Sequence, residues 1–186
     1  MRLLAVSGSL RHDSHNTRLL RAAAQQLPPG VELELYDGLK AIPPFDEDDE
    51  AAPAGEVQAW RAAIRAADAI LFATPEYNSS IPGQLKNALD WASRPIAAAA
   101  LLNKRVAVIG ASVSLYGALW AHAELQKVLA GSVARVLGAE LAVAAAHEAF
   151  DDGALIDGEL AERLRAIVGD LVEVSRRRSE QALLTA

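Results

Sequence analysis

Two polar stretches carry residue types and spacings that suggest chemistry. The first is Ser7-Gly8-Ser9-Leu10-Arg11-His12-Asp13-Ser14-His15-Asn16-Thr17. It offers hydroxyls at Ser9, Ser14 and Thr17, a carboxamide at Asn16 and a fixed positive charge at Arg11. Oriented donors, a cation and the free amides of a helix start are what a phosphate dianion requires. A plain helix cap would explain Ser14 or Asn16 alone. It does not explain several donors together with an arginine. Neither the dinucleotide fingerprint nor the P-loop pattern is present. His12 and His15 are read as exposed loop residues, because a lone histidine is weak support for a ligand.

The second stretch runs from Thr74-Pro75-Glu76-Tyr77-Asn78-Ser79-Ser80 through Ile81-Pro82-Gly83 to Asp90-Trp91. It is low in charge and rich in backbone amides. The amides of Glu76, Tyr77 and Asn78, with the Asn78 side chain, suit a planar ring with a polar edge better than a phosphate. Tyr77 has the shape to pack on or beside such a ring. Plainer readings stand beside these. Pro75 and Pro82-Gly83 serve equally as turn residues, Asn87 as a helix-surface residue, and Trp91 as a core aromatic, the reading preferred for it. Glu76 is not expected to be a general acid, and no residue is assigned direct catalysis.

These stretches need a scaffold that brings them together. Residues 2–7 and 68–74 and Arg105 to Gly110 are continuous apolar runs, the pattern of strands buried on both faces. Val31, Leu33 and Leu35 alternate with glutamates, which predicts a half-exposed edge strand. Glu140 to Ala145 is the expected fifth strand. Helical stripes follow each strand: Leu19 to Leu27, Gly55 to Ala67, Leu85 to Ala92, Gly117 to Leu137 and Leu160 to Val174. Such alternation predicts a parallel sheet covered on both faces. The expected architecture is an α/β, flavodoxin-like three-layer sandwich with strand order 2-1-3-4-5. Strands 1 and 3 are then neighbours, and loops 7–16 and 74–80 open onto one crevice, flanked by loop 110–116. Residues 1–178 form one domain, with 179–186 a frayed tail. Residues 37–55 are a long loop. Its acidic run, Asp46 to Glu50, is read as solvated rather than metal-binding, since no EF-hand spacing is present.

Bulk properties narrow the classes. The chain has 186 residues, 52% hydrophobic and 23% charged, which fits one soluble globular domain. A net charge of -6 argues against nucleic acid as a partner. With 0 cysteines there is no disulfide, thiolate nucleophile or cysteine-held metal. No run approaches the ~18 apolar residues of a membrane span. The first ten residues read as a strand rather than a secretion signal. A cytoplasmic address is expected.

The motifs also resemble a family. Pro75-Glu76-Tyr77-Asn78, Pro82-Gly83, Leu85-Lys86-Asn87-Ala88, Asp90-Trp91 and Ser93-Arg94-Pro95 are similar to the signature of the NADPH-dependent FMN reductases, the flavodoxin-like quinone, azo-dye and chromate reductases. The resemblance implies that Ser9, Arg11, Ser14 and Asn16, with Thr17 beside them, grip the FMN phosphate. It implies that Pro75, Glu76, Tyr77 and Asn78 hold the isoalloxazine, with flavin contacts at Ser112 and Gly117. It further implies NADPH or NADH as donor, a small acceptor (quinone, azo dye, flavin or metal oxyanion), ping-pong hydride transfer and a homodimer or homotetramer. Helix 117–137 and Trp91 are the surfaces expected to meet a partner copy. The third loop departs from the family pattern. Ser114 and Ala118 replace glycines, Trp120 a frequent arginine and His122 a frequent glutamine. An arginine missing from the nicotinamide side weakens recognition of a phosphorylated donor. The alternative is a flavodoxin-type carrier that NAD(P)H does not reduce. A third reading is a flavodoxin-like domain that binds no flavin.

Overall fold

We describe the protein from a computed structural model covering the backbone of residues 1–184 and the side chains of residues 1–177. Along the chain lie β1 (Arg2–Ser7), α1 (His15–Ala24), β2 (Glu32–Tyr36), α2 (Gly55–Ala66), β3 (Ala69–Ala73), α3 (Gly83–Ala92), β4 (Arg105–Ala111), α4 (Leu119–Gly131) and β5 (Arg135–Val143). A small hairpin of β6 (Phe150–Asp151) and β7 (Ala154–Leu155) precedes α5 (Gly158–Leu184). The five long strands pair in parallel in the order β2-β1-β3-β4-β5. This is the flavodoxin-like order predicted from the alternation of elements.

Alternate residues of each central strand enter opposite cores. Val6, Phe72 and Val108 meet Trp60, Ile64, Leu89 and Leu125 of α2, α3 and α4. Ala5, Leu71 and Ile109 meet Leu19 and Leu20 of α1 and Leu164 and Val168 of α5. Every residue of β3 is buried, as its apolar run requires. The edge strand β2 keeps Glu32 and Glu34 outward or half-covered.

Three boundaries differ from the sequence reading. Helix α4 stops at Gly131 rather than Leu137, because Val133 turns the chain with a φ of 61°. Residues 135–137, which read as helix by their apolar spacing, join β5 instead. The strand then shifts register, so that Val106 faces Val136 while Val108 faces Glu140. At the C-terminus α5 continues through Leu184, so the tail expected from residue 179 is helical as far as that residue. Residues 185–186 lie outside the described residues. No described helix is long and apolar enough to cross a membrane.

The long loop 37–55 is fixed by side chains of α3. Gln84 Nε2 donates to the carbonyls of Leu39 at 2.8 Å and Ile42 at 2.9 Å. Asn87 accepts from the Phe45 amide at 2.7 Å and donates to Pro43 O at 2.8 Å. The Trp91 indole donates to the same carbonyl at 2.9 Å. Asn87 is therefore a staple between helix and loop rather than a surface residue. Trp91 is core, as preferred. Being buried, it cannot supply the intersubunit surface also expected of it.

Behind the ends of β3 and β4 lies His122 of α4, with 0% exposure. A Cβ added to Gly110 would stand 2.2 Å from its Nε2 and 2.5 Å from Thr74 O. Only glycine lets β4, β3 and the imidazole close together there. Neither ring nitrogen has a hydrogen-bond partner among the described residues. Glu140 Oε2 lies 3.8 Å from Nδ1 and would favour an imidazolium. That distance is too long for a hydrogen bond, and the carboxylate is partly solvated. Burial wins, and lowers the His122 pKa from 6.5 to about 4. The unfolded chain therefore binds a proton in this window that the folded chain refuses. The associated stability is complete above pH 6.5 and is lost as pH falls towards about 4. The gap corresponds to about 3 kcal/mol. We expect urea unfolding at about pH 7 and about pH 4 to show that extra loss in the native chain, and His122→Gln to lack it.

Candidate functional site

Parallel pairing puts the carboxyl ends of β1, β3 and β4 at one sheet edge. Ser7 pairs with Ala73, and Ala73 with Ile109. Backbone bonds extend the pairing past the strands, from Gly8 N to Ala73 O at 2.8 Å and from Thr74 N to Ile109 O at 3.1 Å. The three following loops therefore converge on one cleft. It is lined by Ser9, Arg11, Ser14, His15 and Asn16 from the first loop, Pro75, Glu76 and Tyr77 from the second, and Ala111, Ser112 and Val113 from the third.

In the first loop Ser14 is both cap and lining. Its Oγ accepts from Thr17 N at 3.2 Å, closing the start of α1. A hydroxyl that accepts keeps its own hydrogen to donate. Ser9 is buried, and its Oγ accepts from the Arg11 amide at 3.5 Å. Arg11 makes no ion pair among the described residues, so its guanidinium is available at the mouth of the cleft.

Asn16 has a different task from the one expected. Its Nδ2 donates to Ala111 O and its Oδ1 accepts from Ala111 N, both at 2.9 Å. The buried carboxamide acts as a strand partner and bolts the first loop to the third. Thr17 is also spent within the protein, donating from Oγ1 to Ser7 Oγ at 3.0 Å. It lines a neighbouring groove with Tyr36, Asp37 and Lys40, not the cleft.

The two histidines separate. His12 is solvated beside Asp13, as expected. His15 is not an exposed loop residue: it opens α1, is half-buried and lines the cleft. Burial, then Arg18, Arg11 and His147, hold its pKa below the ordinary histidine value. Sequence reasoning missed it because burial of a single side chain leaves no mark in the spacing.

The second loop is a tight turn. Tyr77 N donates to Ser80 O at 2.9 Å and Ser80 N returns a bond to Tyr77 O at 3.0 Å. Asn78 and Ser79 between them have φ of 51° and 60°, the pair of left-handed residues a type I′ turn requires. The Tyr77 amide, expected to face a ring, is thus committed to the turn. Asn78 is exposed and stands outside the lining. Pro75 and the half-exposed Tyr77 side chain remain as apolar surface of the cleft.

Glu76 reaches across to the third loop. Its Oε2 accepts from Trp120 N at 3.0 Å and Ala121 N at 3.3 Å. Helix α4 has no cap of its own, since Ala118 at its start has φ 71° and no suitable side chain. The carboxylate supplies that cap from another loop and sits at the positive end of the helix. Ser112 lines the cleft and accepts from Ser114 N at 3.2 Å. Gly117 lies against β5, where an added Cβ would stand 2.9 Å from the Ala142 backbone. Its glycine serves packing, and it is absent from the lining. Tyr116 and Trp120 pair edge to face at 5.2 Å. Both are exposed, as are Val113 and Leu115, so the rim beside the cleft is apolar.

Residues 1–148 match the model of the NADPH-dependent FMN reductase family. An NAD(P)H-dependent FMN reductase of Pseudomonas aeruginosa is 41% identical over 170 residues, covering 89% of this chain and 90% of the relative. A quinone reductase of Pseudomonas putida is 35% identical over 165 residues, 88% of each chain. Among solved structures, the flavoenzyme NAD(P)H:(acceptor) oxidoreductase FerB of Paracoccus denitrificans superposes with a TM-score of 0.86 at 31% identity, covering 95% of this chain and 97% of that one. Sheet order, the converging loops and these matches agree: this chain belongs to the NADPH-dependent FMN reductase family.

Proposed function

We propose that this chain is an FMN-dependent NAD(P)H oxidoreductase that reduces a neutral quinone-like acceptor by ping-pong transfer. The observation that carries this reading is the mixed lining of one cleft. Ser9, Arg11 and Ser14 line it beside the start of α1, and Pro75 and Tyr77 of the second loop line the same cleft. The donor set fits a phosphate monoester: two hydroxyls, an unpaired guanidinium and the positive end of a helix. The apolar surface of Pro75 and Tyr77 fits the ring system. Bound there, FMN would supply the hydride and electron chemistry.

The protein's own part is positioning and exclusion of water. Arg11, Ser9 and Ser14 hold the phosphate group. Asn16 and Glu76 hold the loops that make the walls, the first by its pair of bonds to Ala111, the second by capping α4. Exposed Val113, Leu115, Tyr116 and Trp120 offer a planar apolar acceptor a surface. The net charge of -6 gives a metal oxyanion no general attraction. An apolar rim of this kind also suits a face covered by a second copy in a homo-oligomer.

Three outcomes are expected. On stopped-flow mixing of the FMN-loaded protein with NADPH or NADH, the flavin absorbance near ~450 nm bleaches, and a quinone restores it in a second, separate step. No bleaching with either donor would sink the reductase and leave the carrier reading. Arg11→Ala removes a charge-assisted bond of about 1.5–3 kcal/mol and weakens FMN binding tenfold or more, while riboflavin, which lacks the phosphate, binds as before. Equal loss for both ligands would count against the phosphate assignment. Glu76→Ala removes a helix cap and lowers stability by about 1 kcal/mol, with weaker FMN retention. Glu76→Gln, which keeps the acceptor oxygen, restores most of the stability in urea denaturation.

A further inference from the structure

One titratable side chain in the cleft has no part in the function proposed above. His15 opens α1 and lines the cleft beside Ser9, Arg11 and Ser14. Its Nδ1 is sealed from solvent without a hydrogen-bond partner among the described residues. A polar atom left without a partner costs free energy, and the ring must turn for that nitrogen to meet a group entering the cleft.

The charges that act most on it are positive, while Glu76 across the cleft is turned to the amides of Trp120 and Ala121. Arg11 approaches from its own loop and Arg18 from the next turn of α1. His147 faces it from the loop after β5. The start of α1 adds the positive end of a helix dipole. The carboxylates in the neighbourhood are turned to other partners: Asp13 lies 3.1 Å from His12, and Glu148 lies 3.3 Å from His147. Burial and these positive charges hold the His15 pKa below the ordinary histidine value. A histidine enclosed by positive charge and a helix start is poorly placed for structure alone. It is well placed beside a dianion.

We propose that His15 is a further ligand of the FMN phosphate and takes up a proton as that dianion enters, so that cofactor affinity depends on pH. The inference rests on the reading that this cleft holds FMN. The physical step is simple. A phosphate dianion within a few ångströms offsets Arg11 and Arg18 and favours the imidazolium. The charged ring then donates a hydrogen bond to a phosphate oxygen. By linkage, a group that binds its proton more tightly in the complex makes binding weaken as pH rises through the histidine range. The phosphate's own second ionisation, near about pH 6, acts in the opposite direction. It is complete by about pH 7, so a decline above that point belongs to the protein.

The test titrates the protein, freed of cofactor by dialysis, with FMN from about pH 7 to about pH 9, following quenching of flavin fluorescence. Riboflavin is titrated in parallel. Calorimetry in two buffers of different ionisation enthalpy counts the protons taken up. The native chain should lose FMN affinity several-fold across this range and bind protons with FMN, while riboflavin shows neither effect. His15→Phe and His15→Gln should bind FMN with a flat profile and no proton uptake. The side chain is half-exposed, so both variants should fold. Variants that keep the native slope, or native binding heats that are independent of buffer, overturn the role of His15 and leave the FMN reading intact. A native chain that binds no FMN overturns both.

Discussion

The site depends on one constraint, the parallel pairing of β1, β3 and β4. Parallel strands point their carboxyl ends the same way, so the three loops that follow must emerge at one edge. The residues that line the cleft lie on those loops and at the start of α1. Two buried or half-buried polar links then set their spacing. Asn16 pairs with both backbone groups of Ala111, and Glu76 holds the start of α4. The sheet makes the loops neighbours. These side chains make them walls of a cleft.

Several residues with polar or flexible side chains prove to be structural. Asn78 and Ser79 supply left-handed turn residues, Thr17 braces Ser7, and Gly117 lets the chain pass close to β5. The exposed rim of Val113, Leu115, Tyr116 and Trp120 is apolar rather than cationic. Contact area and shape, more than charge, would then select the acceptor. Position 120 is a tryptophan and offers no cation to a phosphorylated donor.

His122 shows how the same scaffold stores cost. Closing β4 against β3 leaves room for glycine alone at 110, and the imidazole fills the space behind it without a bonding partner. The residue is kept neutral by burial, despite Glu140 nearby. The end of the strand that carries the third loop is therefore sensitive to acid, while its packing near neutrality is undisturbed.

The sequence by itself determined the class of fold and where on it to look. Apolar runs at residues 2–7, 68–74 and 105–110 read as strands buried on both sides, and alternation with amphipathic helices leaves few topologies. The motif residues located the loops, because Ser, Asn, Arg, Pro and Gly at strand ends are read directly from composition. What each side chain does was decided by tertiary structure. Hydrogen bonds such as Asn16 to Ala111, 95 residues apart, leave no local pattern to read. The same holds for Glu76 capping a helix from another loop and for Asn87 holding Pro43. The turn that moved residues 135–137 from helix to strand is made at a left-handed residue, Val133, which no apolar spacing marks. Burial of His15 was hidden for the same reason. Periodicity reports the average environment of an element, whereas the donors and acceptors a side chain meets depend on which distant segments the fold brings against it.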